Sequence, residues 1–247
     1  MKVTAYKTKK VIVGDNLSKI LDEYLPPLKE KDVVVITSKI VSICQGNVVK
    51  NDGVITKEKL IKQEADLLIP PEYVRFGVRL TIKNNLLIGS AGIDESNGND
   101  YFILWPKDLR KSINAIWEYL KNKHGLKYLG VIISDSHSSL FKRGAVGFGI
   151  SWCGFKPLRN YVGKPDIFGR LLQTEQQNAV DGIAAAAVLE MGEGNEQTPI
   201  AAVNELKGIE FVNRIPNKKE LEETTVTLET DVYSGPLKLI KWIKGGN

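Results

Sequence analysis

A mixed α/β protein, with helices and strands in one unit, is what the sequence predicts, and three observations predict it. Two short runs, residues 33–36 and 131–133, are apolar throughout and read as buried strands. Segments such as GDNLSKILDEYL repeat apolar residues at helical spacing. Each buried run ends in polar groups, Thr37-Ser38-Lys39 after the first and Ser134-Asp135-Ser136-His137 after the second. Ligand-binding and catalytic groups are often delivered where a buried strand stops.

In chain order, residues 2–6 predict a short strand followed by a basic turn, Lys7 to Lys10. Leu17, Ile20, Leu21 and Leu25 share one face of a helix, capped by Asp15 or Asn16 and stopped by Pro26 and Pro27. The strand at 33–36 is followed by hydroxyls and a cation, or by a loop that is merely polar. ITKEKLIKQEADLLIP predicts a helix with Leu60, Ile61 and Leu67 or Leu68 inward. Strand-like segments at 77–82 and 86–88 lead to SAGIDESNGND, an acidic turn or a ligand loop. WPKDLRKSINAIWEYLKNKHG is the clearest helix, with Pro106 near its first turn and Gly125 just past its end. Ile113, Ile116, Trp117 and Leu120 form its buried stripe. After 131–133 come Lys142, Arg143 and the glycines Gly144, Gly147 and Gly149, which let backbone approach backbone or ligand. QQNAVDGIAAAAVLEMG predicts a helix whose alanines permit close packing, ending where Gly192 and Gly194 flank Glu193. That ending is either a glycine helix stop or a loop turning backbone N–H groups toward a phosphate. PIAAVNEL predicts a strand, and PLKLIKWIKGG a short basic helix.

Composition narrows the function classes. The 247 residues, 43% hydrophobic and 26% charged, suit a soluble globular protein, expected as a single unit over 1–247 with residues around 84–169 as a candidate inserted subdomain. No apolar run approaches the ~20 residues of a membrane helix, the N-terminus lacks an apolar signal core, and Cys44 and Cys153 form no metal or disulfide pattern. A cytoplasmic protein without membrane attachment is expected. The net charge is +5, but acidic residues are interspersed and no aromatic-rich basic stripe exists, so an anionic small molecule is favoured over nucleic acid.

No GxxxxGK[ST] occurs, Gly144, Gly147 and Gly149 do not make the dinucleotide fingerprint, and the two histidines, His124 and His137, lack metal spacing. GxSxG is missing, so Ser136 beside His137 is no hydrolase pair. Three clusters remain: Asp94 with Asn97, Asp135 with Ser136, and Glu193 between glycines. Hard cations such as magnesium and manganese gather carboxylate and hydroxyl oxygen from separate loops together with nucleotide phosphates. The clusters therefore point to metal-assisted phosphoryl transfer.

The same clusters carry a family resemblance. TSKIVS, AGIDESN, GVIISDS, FKRGAVGFGISWCG, YVGKPDIFGR and the alanine-rich helix closing in MGEG occur in this order over residues 14 to 205. In that set the chain resembles the coenzyme F-420:L-glutamate ligase family, which adds γ-linked glutamate to a deazaflavin cofactor precursor using GTP. The resemblance implies a mixed α/β (α+β) fold with a β-rich substructure, and a homodimer with sites near the interface. It implies Asp94 and Asp135 as ligands of one divalent metal, and Ser136 (where the family has threonine) and Glu193 as ligands of a second, with Mn2+ or Mg2+ as the metal and K+ as a further candidate ion. Ser38, Lys39, Asn97 and the loop Met191, Gly192, Gly194, Asn195, Glu196, Gln197 and Thr198 fall on nucleotide contacts for GTP or ATP. Lys142 and Arg143 are candidate catalytic charge partners for phosphate or acceptor carboxylate. The implied partners are L-glutamate, a nucleoside triphosphate and a small carboxylate acceptor.

The departures from the family pattern lie beside these positions. Ile43 stands where the family has a nucleotide-binding lysine, and Gln45 where it has a glutamate. The first nucleotide turn reads Thr8-Lys9-Lys10-Val11, and His137-Ser138-Ser139 replaces a segment ending in arginine. Loss of the cation at 43 moves its task to Lys39, Lys9 or Lys10. The same chemistry on a folate or other acceptor, and a non-catalytic binding homologue, are the competing readings; intact Asp94, Asp135 and Glu193 weigh against the second.

Overall fold

The apolar runs become the two central strands of a five-stranded sheet. The computed structural model describes residues 1–246. In order the chain forms β1 (Lys2–Tyr6), α1 (Leu17–Tyr24), β2 (Val33–Thr37), α2 (Ser38–Cys44), β3 (Val48–Lys50), α3 (Lys57–Glu64) and β4 (Leu67–Leu68). It continues through β5 (Leu80–Lys83), β6 (Leu86–Gly89), β7 (Tyr101–Ile103), α4 (Leu109–His124), β8 (Gly130–Ser138) and β9 (Ala145–Cys153). It ends with β10 (Leu158–Asn160), β11 (Gln176–Asn178), α5 (Ala179–Met191), β12 (Ile200–Asn204), α6 (Lys218–Thr224), α7 (Ser234–Lys238) and β13 (Ile243–Lys244).

The main sheet has the order β1-β12-β2-β8-β9, with β2 and β8 parallel and the other pairs antiparallel. Helices cover both faces, which is why the central strands are apolar on both. Val34, Ile36, Val131 and Ile133 face α1, α2 and α4, while Val33, Val35 and Ile132 face α5. Each fully buried aliphatic side chain contributes roughly 1.5–3 kcal/mol. Gly147 and Gly149 on β9 let α5 approach: a Cβ at either would fall 2.5 or 2.3 Å from Val188 or Val180. These two glycines therefore admit a helix, not a ligand. A smaller antiparallel sheet, β13-β4-β5-β6, and the pairs β3-β7 and β10-β11 complete the fold. No helix is long and apolar enough to cross a membrane among the described residues.

Several elements differ from expectation. The helix predicted through Leu68 stops at Glu64, and Leu67–Leu68 pairs with β5 and β13 instead, because Ala65 turns to extended backbone. The polar stretch after β2 is neither loop nor bare strand end but the buried helix α2. Asp108, not Pro106, opens α4, since its side chain accepts from Lys111 N–H. Gln176–Asn178 forms β11 before the alanine-rich helix starts, and the basic C-terminal helix is limited to Ser234–Lys238. His137 lies within β8, which runs past the apolar run to Ser138, and is edge-on to Phe148 at 4.7 Å.

At the end of α4, His124 Nδ1 accepts from Leu28 N–H at 3.3 Å, and its buried Nε2 has no partner among the described residues. Burial, reinforced by Lys123, holds its pKa below the ordinary 6.5 against the pull of Asp22. A depressed histidine contributes stability that is whole above pH 6.5 and is lost as pH falls through the folded-state value. Thermal melts of the wild-type protein are expected to drop across that window, and His124→Gln to remove that part of the slope.

Candidate functional site

The parallel pairing of β2 with β8 sets Thr37 opposite Ser134, so the start of α2 lies beside Ser134, Asp135 and Ser136. Thr37 N–H donates to Pro199 O at 3.0 Å, which brings the loop before β12 to the same place. Asp94 reaches it from the other side through its backbone exchange with Ile103. Four chain segments far apart in sequence thus converge on one cavity of about 590 Å3. Its walls include Ser38, Lys39, Asp94, Asn97, Asp135, Ser136 and the whole of 191–198. Every sequence-predicted site residue except Lys142 and Arg143 is therefore brought together.

Within the cavity the polar groups are tied to one another. Lys39 Nζ pairs with Asp94 at 2.7 Å and donates to Ser96 O and Oγ at 2.9 Å each. Burial works to raise the Asp94 carboxyl, but the charge and hydrogen bond of Lys39 outweigh it and leave the pKa below its usual value. Among the described residues no cation is bonded to Asp135. Its oxygens accept from Trp105 Nε1–H and from Ser136 N–H, and burial, with Asp94 adding to it, pushes its pKa up to about 6. Ser136 Oγ donates to Glu193 at 3.1 Å, and Asn97 Nδ2 donates to Gly194 O at 2.9 Å. Glu196 folds back so that Gly194 N–H donates to its carboxylate at 2.8 Å, while Gln197 O accepts from Thr8 N–H. An anion already sits against the loop's backbone, and it is the protein's own.

Among the described residues no three His, Cys, Asp or Glu side chains form a preformed metal group. The donor set nevertheless fits a hard cation. Two carboxylates close enough to repel each other, a hydroxyl joined to a third carboxylate, and the buried Ser134 hydroxyl without a partner all line the same cavity. Asp94, Asp135, Ser136 and Glu193 are the residues that would hold such ions.

Around this set the departures have structural consequences. Ile43 presents an apolar wall. Lys9 is engaged by Asp15 at 2.5 Å, which leaves Lys10 as the N-terminal cation on the cavity without an ion pair among the described residues. Lys142 and Arg143 lie in the exposed turn between β8 and β9, off the cavity wall. Sequence reasoning missed Trp105 and Ser134. Trp105 closes the run Phe102-Ile103-Leu104, where an aromatic gives no sign that its ring edge reaches Asp135; Ser134 showed only as part of a polar strand end.

The family model described as F420-0:Gamma-glutamyl ligase matches residues 6–205. A protein of Methanococcus maripaludis named coenzyme F420:L-glutamate ligase is 31% identical over 201 residues, covering 76% of this chain and 80% of its own length. One of that name from Methanosarcina mazei is 29% identical, covering 78% and 81%. Another from Archaeoglobus fulgidus is 28% identical over 240 residues, covering 91% and 92%.

Proposed function

The chain belongs to the F420-0:gamma-glutamyl ligase family and is an acid–amino-acid ligase; from that premise we propose that it uses a nucleoside triphosphate, GTP by preference, and divalent metal to join L-glutamate to the deazaflavin precursor of coenzyme F420. The observation that carries this reading is the convergence of Asp94, Asp135, Ser136 and Glu193 with the 191–198 loop on one cavity. The acceptor's carboxylate attacks the γ-phosphorus and releases nucleoside diphosphate. Glutamate's amine then attacks the acyl phosphate, forms the amide, and releases phosphate and a proton. Metal held by Asp94, Asp135, Ser136 and Glu193 would supply charge neutralisation to the phosphates.

The chain's own groups do the remaining work. The 191–198 loop offers its backbone to phosphate once Glu196 swings away from Gly194 N–H. Asn97 ties that loop to the Asp94 segment, so nucleotide and metal contacts form together. Lys39, now paired with Asp94, would be free for phosphate oxygen with metal held at that carboxylate, and Lys10 supplies the cation that Ile43 lacks. Trp105 holds the Asp135 carboxylate in one orientation.

The proposed assembly is a homodimer. Leu140 and Phe141 at the β8–β9 tip, and Ile167 and Phe168 between β10 and β11, are 68% to 106% exposed, apolar surface that a second copy would cover. Lys142 and Arg143 sit at that tip, so their proposed charge-pairing role is exercised across the interface. Calorimetric titration of GTP is the test of the nucleotide reading. Binding is expected to require Mn2+ or Mg2+ and to weaken about tenfold or more in Glu193→Gln; equal GTP affinity with and without metal would contradict it.

A further inference from the structure

A second cavity, about 690 Å3, is linked to the first through Trp105, which lines this second cavity and donates its N–H to Asp135 in the wall of the first. Phe148 and Trp152 supply further apolar wall. The charged side chains around it are three cations, Lys83, Lys107 and Arg110, and three carboxylates, Glu64, Asp108 and Asp181. Some of these are already committed. Lys83 pairs with Glu64 at 2.5 Å, and Asp108 caps α4 and pairs with Lys111 at 3.4 Å. Arg110, Lys107 and Asp181 remain, and among the described residues none has an ion-pair partner.

Arg110 is costly where it stands. It is half-buried in the first turn of α4, where the helix dipole disfavours a cation. Its guanidinium lies 5.0 Å over the Trp152 ring and, among the described residues, makes one hydrogen bond, to Trp152 O at 3.2 Å, out of five N–H donors. Asp181 accepts from Gly149 N–H at 3.0 Å and from Asn178 Nδ2 at 2.7 Å, neither of them a cation. Arg110 and Asp181 are both half-buried, where a charge gains from a partner. Arg110 and Asp181 share a cavity yet do not pair with each other, which is the arrangement a zwitterion completes.

We propose that this cavity binds the amino-acid substrate, with Arg110 on the α-carboxylate, Asp181 on the α-ammonium and Lys107 at the rim on the side-chain carboxylate. The two cations and one anion are the charge complement of an acidic α-amino acid, and the proposal rests on the ligase reading above for glutamate as that molecule. The location suits delivery of the amine. Asp181 is anchored to Gly149, the register partner of Ser134, one residue from Asp135.

The test is calorimetric titration of L-glutamate, L-glutamine and glutarate into the full chain with Mn2+ and a non-hydrolysable GTP analogue, beside glutamate KM values from product formation. Arg110→Gln and Asp181→Asn are expected to weaken glutamate binding and raise its KM about tenfold or more, with nucleotide affinity unchanged. Glutarate, lacking the ammonium, should bind wild type about as weakly as glutamate binds Asp181→Asn. Glutamine should lose affinity to wild type but little further in Lys107→Gln. Arg110→Lys, with melting temperatures, guards against a folding defect by retaining partial affinity. A wild-type enzyme that makes glutamate product while both variants keep its KM overturns the cavity assignment and leaves the ligase reading standing. A wild type that neither forms glutamate product nor binds any of the three compounds overturns both.

Discussion

Asp135→Ala is expected to abolish glutamate addition, by on the order of a thousandfold or more, because several kcal/mol of charge stabilisation at the phosphates is asked of this carboxylate and its neighbours. The position cannot be replaced from nearby. Asp94 is engaged by Lys39, and Glu193 is held by Ser136 on a separate segment. Asp135→Asn separates charge from shape: it keeps the volume and one acceptor oxygen, enough for Trp105 N–H or Ser136 N–H and not both, so the melting temperature in metal-free buffer should fall less than in Asp135→Ala while activity is lost. Kinetics of both variants beside their melts are the check. Activity within tenfold of wild type in either would remove Asp135 from the proposed metal set.

The second large effect is expected at Gly92→Ala, a residue that touches no substrate. Gly92 has φ +71°, and a Cβ there would lie 2.2 Å from Trp105 Nε1 and 2.4 Å from Cε2. The indole cannot yield easily, since it is 2% exposed and packed with Ile88 and Phe148. An alanine must therefore displace the ring edge that bonds Asp135, besides placing a side chain in the left-handed region. The stability loss should be about 1–3 kcal/mol, and kcat should fall about 10- to 100-fold, as for loss of a group that orients a metal ligand. Trp105→Phe isolates the second part by deleting the N–H and keeping most of the packing. It should reproduce the fall in kcat with a smaller change in melting temperature. Full activity in Trp105→Phe would show that the indole only fills space.

The central strands, α1, α4, α5 and β12 were legible because each is specified locally, by an apolar run or a capped helical period. The segments 67–68 and 243–244 were not. Each is two residues long and becomes a strand only through partners distant in the chain, β5 and β13 for the first and β4 for the second, a fact no local pattern contains. The acid cluster was legible for a related reason: Asp94, Asp135 and Glu193 each follow an apolar run, so the fold had to deliver them where its buried segments turn polar. Asp181 was hidden inside the alanine-rich helix signal, and Arg110 inside a face that reads as solvated. Only the packing of α4 and α5 against β9 brings them to one cavity. Lys142 and Arg143 drew notice as cations among glycines, but Gly147 and Gly149 admit α5 and neither cation lines the carboxylate cavity.

The most direct measurement is mass spectrometry of glutamate addition coupled to nucleotide hydrolysis. Purified protein would meet GTP or ATP, Mn2+ or Mg2+, and deazaflavin or folate acceptors, with Asp135→Ala beside it. The predicted result is a glutamate-extended deazaflavin formed with GTP and metal, one nucleoside diphosphate released per glutamate added, and no product from the variant. Extension of the folate alone would keep the chemistry and change the acceptor. Nucleotide neither bound nor hydrolysed under any condition would contradict the account.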